Sequence, residues 1–253
     1  MRGDLCLCGD RLRHINAHSR RRFMGGVAAG VLAAIGVPAG PGLAADPVAK
    51  TTLTSDQALR LLKEGNDQFR MDAPYRAAQG RERRIELARG QAPFCVLVGC
   101  SDSRVPPELL FGRGLGELFI IRNAGNTIDT AALGSIEYAV YALGVPLIAV
   151  VGHERCGAVD AALSVVEKNA SYPGSLGPMI EPIIPAVLQA RAKAGDAKGD
   201  ALFDAAVREN VLRVVGRLSN SDPVLREPLG AGKLKIVGAR YDLDVGNVDF
   251  FEG

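Results

Sequence analysis

From Thr54 onward, apolar residues follow two kinds of pattern. Three stretches are almost continuously apolar, Phe94 to Gly99, Leu118 to Ile121 and Pro146 to Val151, and a fourth run, Lys233 to Val237, is apolar between and after two lysines. Short runs of this kind predict strands buried on both faces, as in a parallel sheet. Between them, apolar residues recur at helical spacing. Ala58, Leu61, Leu62 and Phe69 predict a first helix, with Thr54 or Ser55 as N-cap. An Arg-rich helix is expected from Arg76 to Arg89, ended by Gly90. Further helices are expected over Thr130 to Leu143, Leu176 to Lys193 and Ala201 to Leu218, with Gly195 to Gly199 as a loop. Strand–helix alternation implies a single α/β domain over 54–253, a mostly parallel central sheet flanked by helices. Residues 46–53 read as a linker, and no internal repeat is visible.

Residues 1–45 depart from this pattern. Ser19-Arg20-Arg21-Arg22-Phe23-Met24 precedes a short apolar stretch, Gly25 to Val37, and small residues follow as far as Ala45. A charged start, a short apolar middle and a small-residue end read as a signal peptide. The twin arginines resemble the twin-arginine export signal. An uncleaved anchor is the alternative, but a spanning helix needs roughly 20 apolar residues, so no stable membrane anchor is expected. Cleavage is expected near Ala44 or Ala45, giving a periplasmic or secreted protein. Cys6, Cys8, His14 and His18 lie in the removed segment. The mature chain would keep Cys95, Cys100, Cys156 and one histidine, His153.

Composition narrows the class further. The 253 residues are 47% hydrophobic and 23% charged, which excludes a mostly disordered or collagen-like chain. Residues 1–45 hold six Arg and two Asp, leaving 24 basic and 26 acidic residues in the remainder. A body so near neutrality gives no case for nucleic-acid binding. The cysteines are too few for a disulfide scaffold.

Candidate chemistry gathers in two segments. Cys100-Ser101-Asp102-Ser103-Arg104 follows the first predicted strand, and His153-Glu154-Arg155-Cys156-Gly157 follows the third. Open α/β sheets form sites outside the carboxyl ends of their strands, so the two segments can meet. Two Cys and one His suit Zn²⁺, and three protein ligands leave an open position of the catalytic kind. His153 and Cys156 can face one ion from a turn entering a helix. Buried core cysteines and a satisfied core histidine are the bland alternative. Cys95 lies five positions before Cys100. Strand alternation would place the two on opposite faces, and Cys95 reads as a buried hydrophobe.

The pattern Cys100-x-Asp102-x-Arg104 followed by His153-x-x-Cys156-Gly157 resembles the β-class carbonic anhydrases. The resemblance extends to Ala124-Gly125-Asn126, Ile136-Glu137-Tyr138 and Leu62-Lys63-Glu64-Gly65-Asn66. It implies reversible hydration of CO₂ to bicarbonate and a proton, by attack of zinc-bound hydroxide, in a homodimer or tetramer. It implies one Zn²⁺ per subunit on Cys100, His153 and Cys156, with Asp102 and Arg104 as the catalytic dyad. In a closed form Asp102 would become the fourth ligand. Gln91 would reach the partner subunit's substrate, while Phe119, Ala124 and Tyr138 would line an apolar CO₂ pocket. Gly125 and Gly157 would serve as backbone fits. Two thiolates neutralise the ion's charge, so activity favouring alkaline pH is expected. With the lone mature histidine committed to metal, protons should leave through buffer, water or another side chain. The chain has no Trp, which argues against the tryptophan-dependent bicarbonate site of some family members. Hydrolysis of a CO₂ analogue such as CS₂ or COS, and a zinc sensor without turnover, are the rival functions.

Overall fold

A computed structural model describes residues 50–73, 78–195, 197–221 and 223–252. The 1–45 segment, residues 46–49 of the 46–53 linker and Arg76 lie outside the described residues. No helix among the described residues is long and apolar enough to cross a membrane.

The chain opens with α1 (Ser55–Arg70), whose start is a capping box. Thr54 accepts from Gln57 N, and the Gln57 side chain accepts from Thr54 N. There follow α2 (Arg81–Leu87), β1 (Cys95–Gly99), α3 (Pro107–Leu110) and β2 (Leu118–Arg122). A 3₁₀ turn at Ala124–Asn126 leads to α4 (Thr130–Tyr141) and β3 (Leu147–His153). The second half runs through α5 (Gly157–Lys168), α6 (Leu176–Ile180), a 3₁₀ turn (Glu181–Ile183), α7 (Ile184–Ala194) and α8 (Asp200–Ser219). It ends in α9 (Pro223–Gly230), β4 (Lys235–Tyr241) and β5 (Val248–Glu252).

The sheet order is β2-β1-β3-β4-β5. The first four strands are parallel, and β5 pairs antiparallel to β4. One face packs Leu97, Ala149 and Val237 against Leu62, Phe111 and Ile183. The other packs Val96, Ile148 and Ile236 against Ile136, Val211 and Leu218. Burial on both faces explains the continuous apolar runs of β1 and β3; β2, at the sheet edge, is only half-buried along its length, unlike the expectation. Because β1 lies between β2 and β3, the connections diverge there. The gap outside the carboxyl ends of β1 and β3 is therefore the switch point where α/β sheets place ligands.

Several sequence-predicted boundaries shift. α2 begins at Arg81, capped by Gly80. The helix expected over Leu176 to Lys193 is three pieces, because Pro182 and Pro185 each start a new one. A proline lacks the N–H that a continuing helix needs. β4 starts at Lys235, because the Lys233 and Leu234 amides still close the turn after α9 onto Pro228 O. The pattern did not reveal α3, α9 or the antiparallel β5. Cys95 and Cys100 do not end on opposite sides: β1 stops at Gly99, the chain turns, and both side chains join one apolar cluster.

Candidate metal centre

The centre is built at the ends of β1 and β3. After Gly99 the chain leaves the sheet, and Arg122 at the end of β2 fixes its path. The Arg122 Nε donates to Cys100 O at 2.8 Å and its Nη2 to Asp102 O at 2.5 Å. Cys100 Sγ accepts the Gly125 N–H at 3.2 Å. From the other side come His153, the last residue of β3, and Cys156, the N-cap of α5. Arg155 between them takes a left-handed backbone, φ 50°. That tight turn brings two ligand types three positions apart to face one point.

The donor atoms of Cys100, His153 and Cys156 all lie within 4.8 Å of one another, and all three residues are buried. His153 Nδ1 lies 2.8 Å from the Glu154 carbonyl oxygen. A carbonyl only accepts, so Nδ1 carries the proton and Nε2 presents a lone pair. That Nε2 is buried with no hydrogen-bond partner among the described residues. An orphaned buried nitrogen is costly unless something fills its lone pair. The two sulfurs shift one another's acidity in opposite directions. The neighbouring Cys156 holds the Cys100 thiol well below its ordinary value, against burial and aided by His153 and the Asp102 and Gly125 amides. The same contact, together with burial, pushes the Cys156 thiol up. Two sulfurs and an imidazole lone pair make a cradle for a soft divalent cation. Cys95 is fully buried, and burial pushes its thiol up, so it stays an inert hydrophobe.

Asp102 and Arg104 form a forked pair beside this cradle. Arg104 Nε donates to Asp102 Oδ1 at 3.0 Å, Nη2 to Oδ2 at 2.7 Å, and the Arg104 amide to Oδ1 at 2.9 Å. The Arg104 bonds hold the Asp102 carboxyl down to about 2, so it is an acceptor at any neutral pH. Its Oδ2 lies 3.9 Å from His153 Nε2. Arg104 Nη2 also donates to Arg155 O at 3.3 Å, tying the dyad to the His–Cys turn.

That turn is pinned from behind. Glu154 N donates to Tyr241 O at 2.9 Å, and Glu154 Oε2 accepts from Leu243 N at 3.2 Å. Arg155 makes a forked pair with Asp244 at 2.9 and 2.7 Å. Glu154, Asp242 and Asp244 form a second carboxylate group, but each of the three is already paired with Arg155 or Arg240.

The remaining sequence-predicted residues divide by distance. Ala124 and Gly125 lie beside Cys100 on the 3₁₀ turn, where Asn123 N donates to Gly99 O. Gly157 opens α5, and a Cβ there would meet nothing within 4 Å. Phe119 and Tyr138 pair with each other, ring centroids 6.4 Å apart. Phe119 is in register with Val96, four residues before Cys100 and so about 13 Å along the strand. Gln91 is further back, before β1, on a cleft shared with Arg84 and Leu87. The chain does not bring these three to its own cradle. Sequence reading missed Arg122 and Asn210. Arg122 had a faint signal, directly before Asn123-Ala124-Gly125. Asn210 had none, because its partner Gly125 is 85 positions away.

Comparison with known proteins agrees with this arrangement. The family model described as carbonic anhydrase matches residues 95–248. Carbonic anhydrase 2 of Mycobacterium tuberculosis is 42% identical over 189 residues, covering 75% of this chain and 89% of that protein. The solved β-carbonic anhydrase CcaA is 30% identical, covering 77% of this chain and 95% of its own, with TM-score 0.61. A structure reported among two tetrameric β-carbonic anhydrases of Sordaria macrospora is 29% identical, covering 66% and 85%, with TM-score 0.60. With the parallel sheet, the matched span and the Cys–His–Cys cradle at its switch point, the chain belongs to the β-carbonic anhydrase family of CO₂-hydrating lyases.

Proposed function

We propose that Cys100, His153 and Cys156 hold one zinc ion per subunit, and that the chain uses it to convert CO₂ and water reversibly to bicarbonate and a proton. The carrying observation is His153 Nε2, buried, without a hydrogen-bond partner among the described residues, and converging on two sulfurs. The donor set fits zinc, which takes thiolate and neutral imidazole in tetrahedral sites. When bound, zinc lowers the pKa of water and so supplies a nucleophile near neutral pH.

The chain's own groups do the rest. Glu154 O fixes the His153 tautomer. Asp102, kept ionised by Arg104, accepts the hydrogen bond of the attacking oxygen and turns its lone pair toward carbon dioxide. Val105, Leu110 and Phe111 are buried beside Cys100 and His153 and keep the donors dry. With His153 occupied, no other histidine lies beyond residue 45, so the released proton leaves through buffer, water or a side chain other than histidine.

Assembly completes the reading. β2 is an edge strand, and Leu109, Leu115, Tyr138 and Tyr141 are exposed. A second copy docking there, in a dimer or tetramer, would carry Gln91, Phe119 and Tyr138 to its neighbour's cradle; sedimentation as a monomer would exclude this. Export by the twin-arginine route, with cleavage near Ala44 or Ala45, is supported by the Arg20–Arg22 run and the short apolar stretch after it. An intact N-terminus on the exported protein would exclude the cleavage.

The direct test is Cys156→Ser, measured for zinc content and CO₂ hydration. Loss of both together is expected. Full activity in metal-free protein would overturn the reading.

A further inference from the structure

α8 reaches the sulfur of Cys100 through a single residue of the 3₁₀ turn. Asn210, in the middle of α8, is 2% exposed, and its Nδ2 donates to Gly125 O at 2.8 Å. The Gly125 N–H in turn donates to Cys100 Sγ at 3.2 Å. Gly125 has φ 66° and ψ 27°, a left-handed conformation inside the turn. A Cβ there would stand 2.6 Å from Ile183 Cδ1 and 3.1 Å from Ala158 Cβ. Glycine is therefore required, and glycine is the residue least able to hold its own torsions. Its two peptide groups need an outside anchor, and the buried Asn210 amide supplies one.

α8 is seated closely enough to do this. A Cβ at Gly152 or Gly238 would stand 2.6 or 2.9 Å from Val211, the neighbour of Asn210. The two glycines let α8 lie against β3 and β4, one residue before His153 on the first of them.

We propose that Asn210 is a positioning residue: by anchoring the Gly125 carbonyl it aims the Gly125 N–H at Cys100, and so sets how strongly that sulfur binds and donates charge to the metal. The proposal rests on the zinc reading above. Hydrogen bonds to a ligand atom draw charge from it and fix its direction, and losing such outer contacts typically weakens metal binding by roughly 10–100-fold.

The test compares the full chain with Asn210→Leu, which removes the donor at similar size, and Asn210→Asp, which turns the donor into an acceptor facing Gly125 O. Val214→Ala, on the same helix and in the core, serves as a packing control. Two quantities are read: the zinc dissociation constant by competition with a chromophoric chelator, and the sulfur-to-metal charge-transfer band of the cobalt(II)-loaded protein. Both Asn210 variants should bind zinc about 10-fold or more weakly, with the band moved to longer wavelength. Val214→Ala should lower Tm and move neither. Unchanged affinity and an unmoved band in either folded Asn210 variant would overturn the proposal while leaving the zinc reading intact. Wild-type protein that takes up neither metal would overturn both.

Discussion

Asp102 carries two possible allegiances at the residue scale. It is forked to Arg104 at 2.7 and 3.0 Å, yet its Oδ2 is only 3.9 Å from His153 Nε2. Arg104 therefore decides whether the carboxylate stays beside the cradle or turns into it. Arg104→Ala should keep its zinc and lose CO₂ hydration by roughly 10–100-fold, the usual effect of removing an outer partner. Zinc content with stopped-flow hydration checks this, and wild-type turnover would contradict it. The Cys100–His153–Cys156 cluster and the Asp102–Arg104 pair were legible in sequence as groups that meet, because short motifs at strand ends carry them. Arg122 was not legible as a clamp, because its role depends on β2 lying beside β1. Cys95 shows the opposite failure: simple alternation misplaced it relative to Cys100 because the strand ends between them.

Among elements, the support for the His–Cys turn comes from the link between β4 and β5. Asp242 accepts from the Asp244 and Val245 amides at 3.0 Å each, and from Arg240 Nη1 at 3.0 Å. The Val245 amide leads the effects that hold its carboxyl below the ordinary value of 3.8. A group lowered on folding stabilises the native state above its unfolded pKa and loses that effect as pH falls through its folded pKa. Wild-type Tm should therefore fall as pH drops below about 4. Asp242→Asn should be less stable at neutral pH and show a shallower acid decline, read from Tm against pH. An equally steep decline in the variant would contradict this. β5 escaped the sequence reading because Val248 to Glu252 is short, polar in part and antiparallel, unlike the buried runs before it. The helix expected over Leu176 to Lys193 kept its apolar spacing but not its continuity, since prolines cut the hydrogen-bond ladder without disturbing the periodicity.

For the whole molecule, the sheet order explains why two segments 53 positions apart share a site: β1 and β3 are neighbours, and their connections part at that point. The alternation of strands and helices made the fold class legible. Strand order and close helix seating depend on long-range packing that no local pattern encodes. The central claim is that one zinc ion sits on two sulfurs and one imidazole. X-ray absorption at the zinc edge of the purified, active protein tests it most directly. The account predicts a shell of two sulfurs at about 2.3 Å and lighter atoms at about 2.0–2.1 Å, with Cys156→Ser losing the sulfur shell or the metal. A zinc shell of nitrogen and oxygen alone, in protein that still hydrates CO₂, would contradict it.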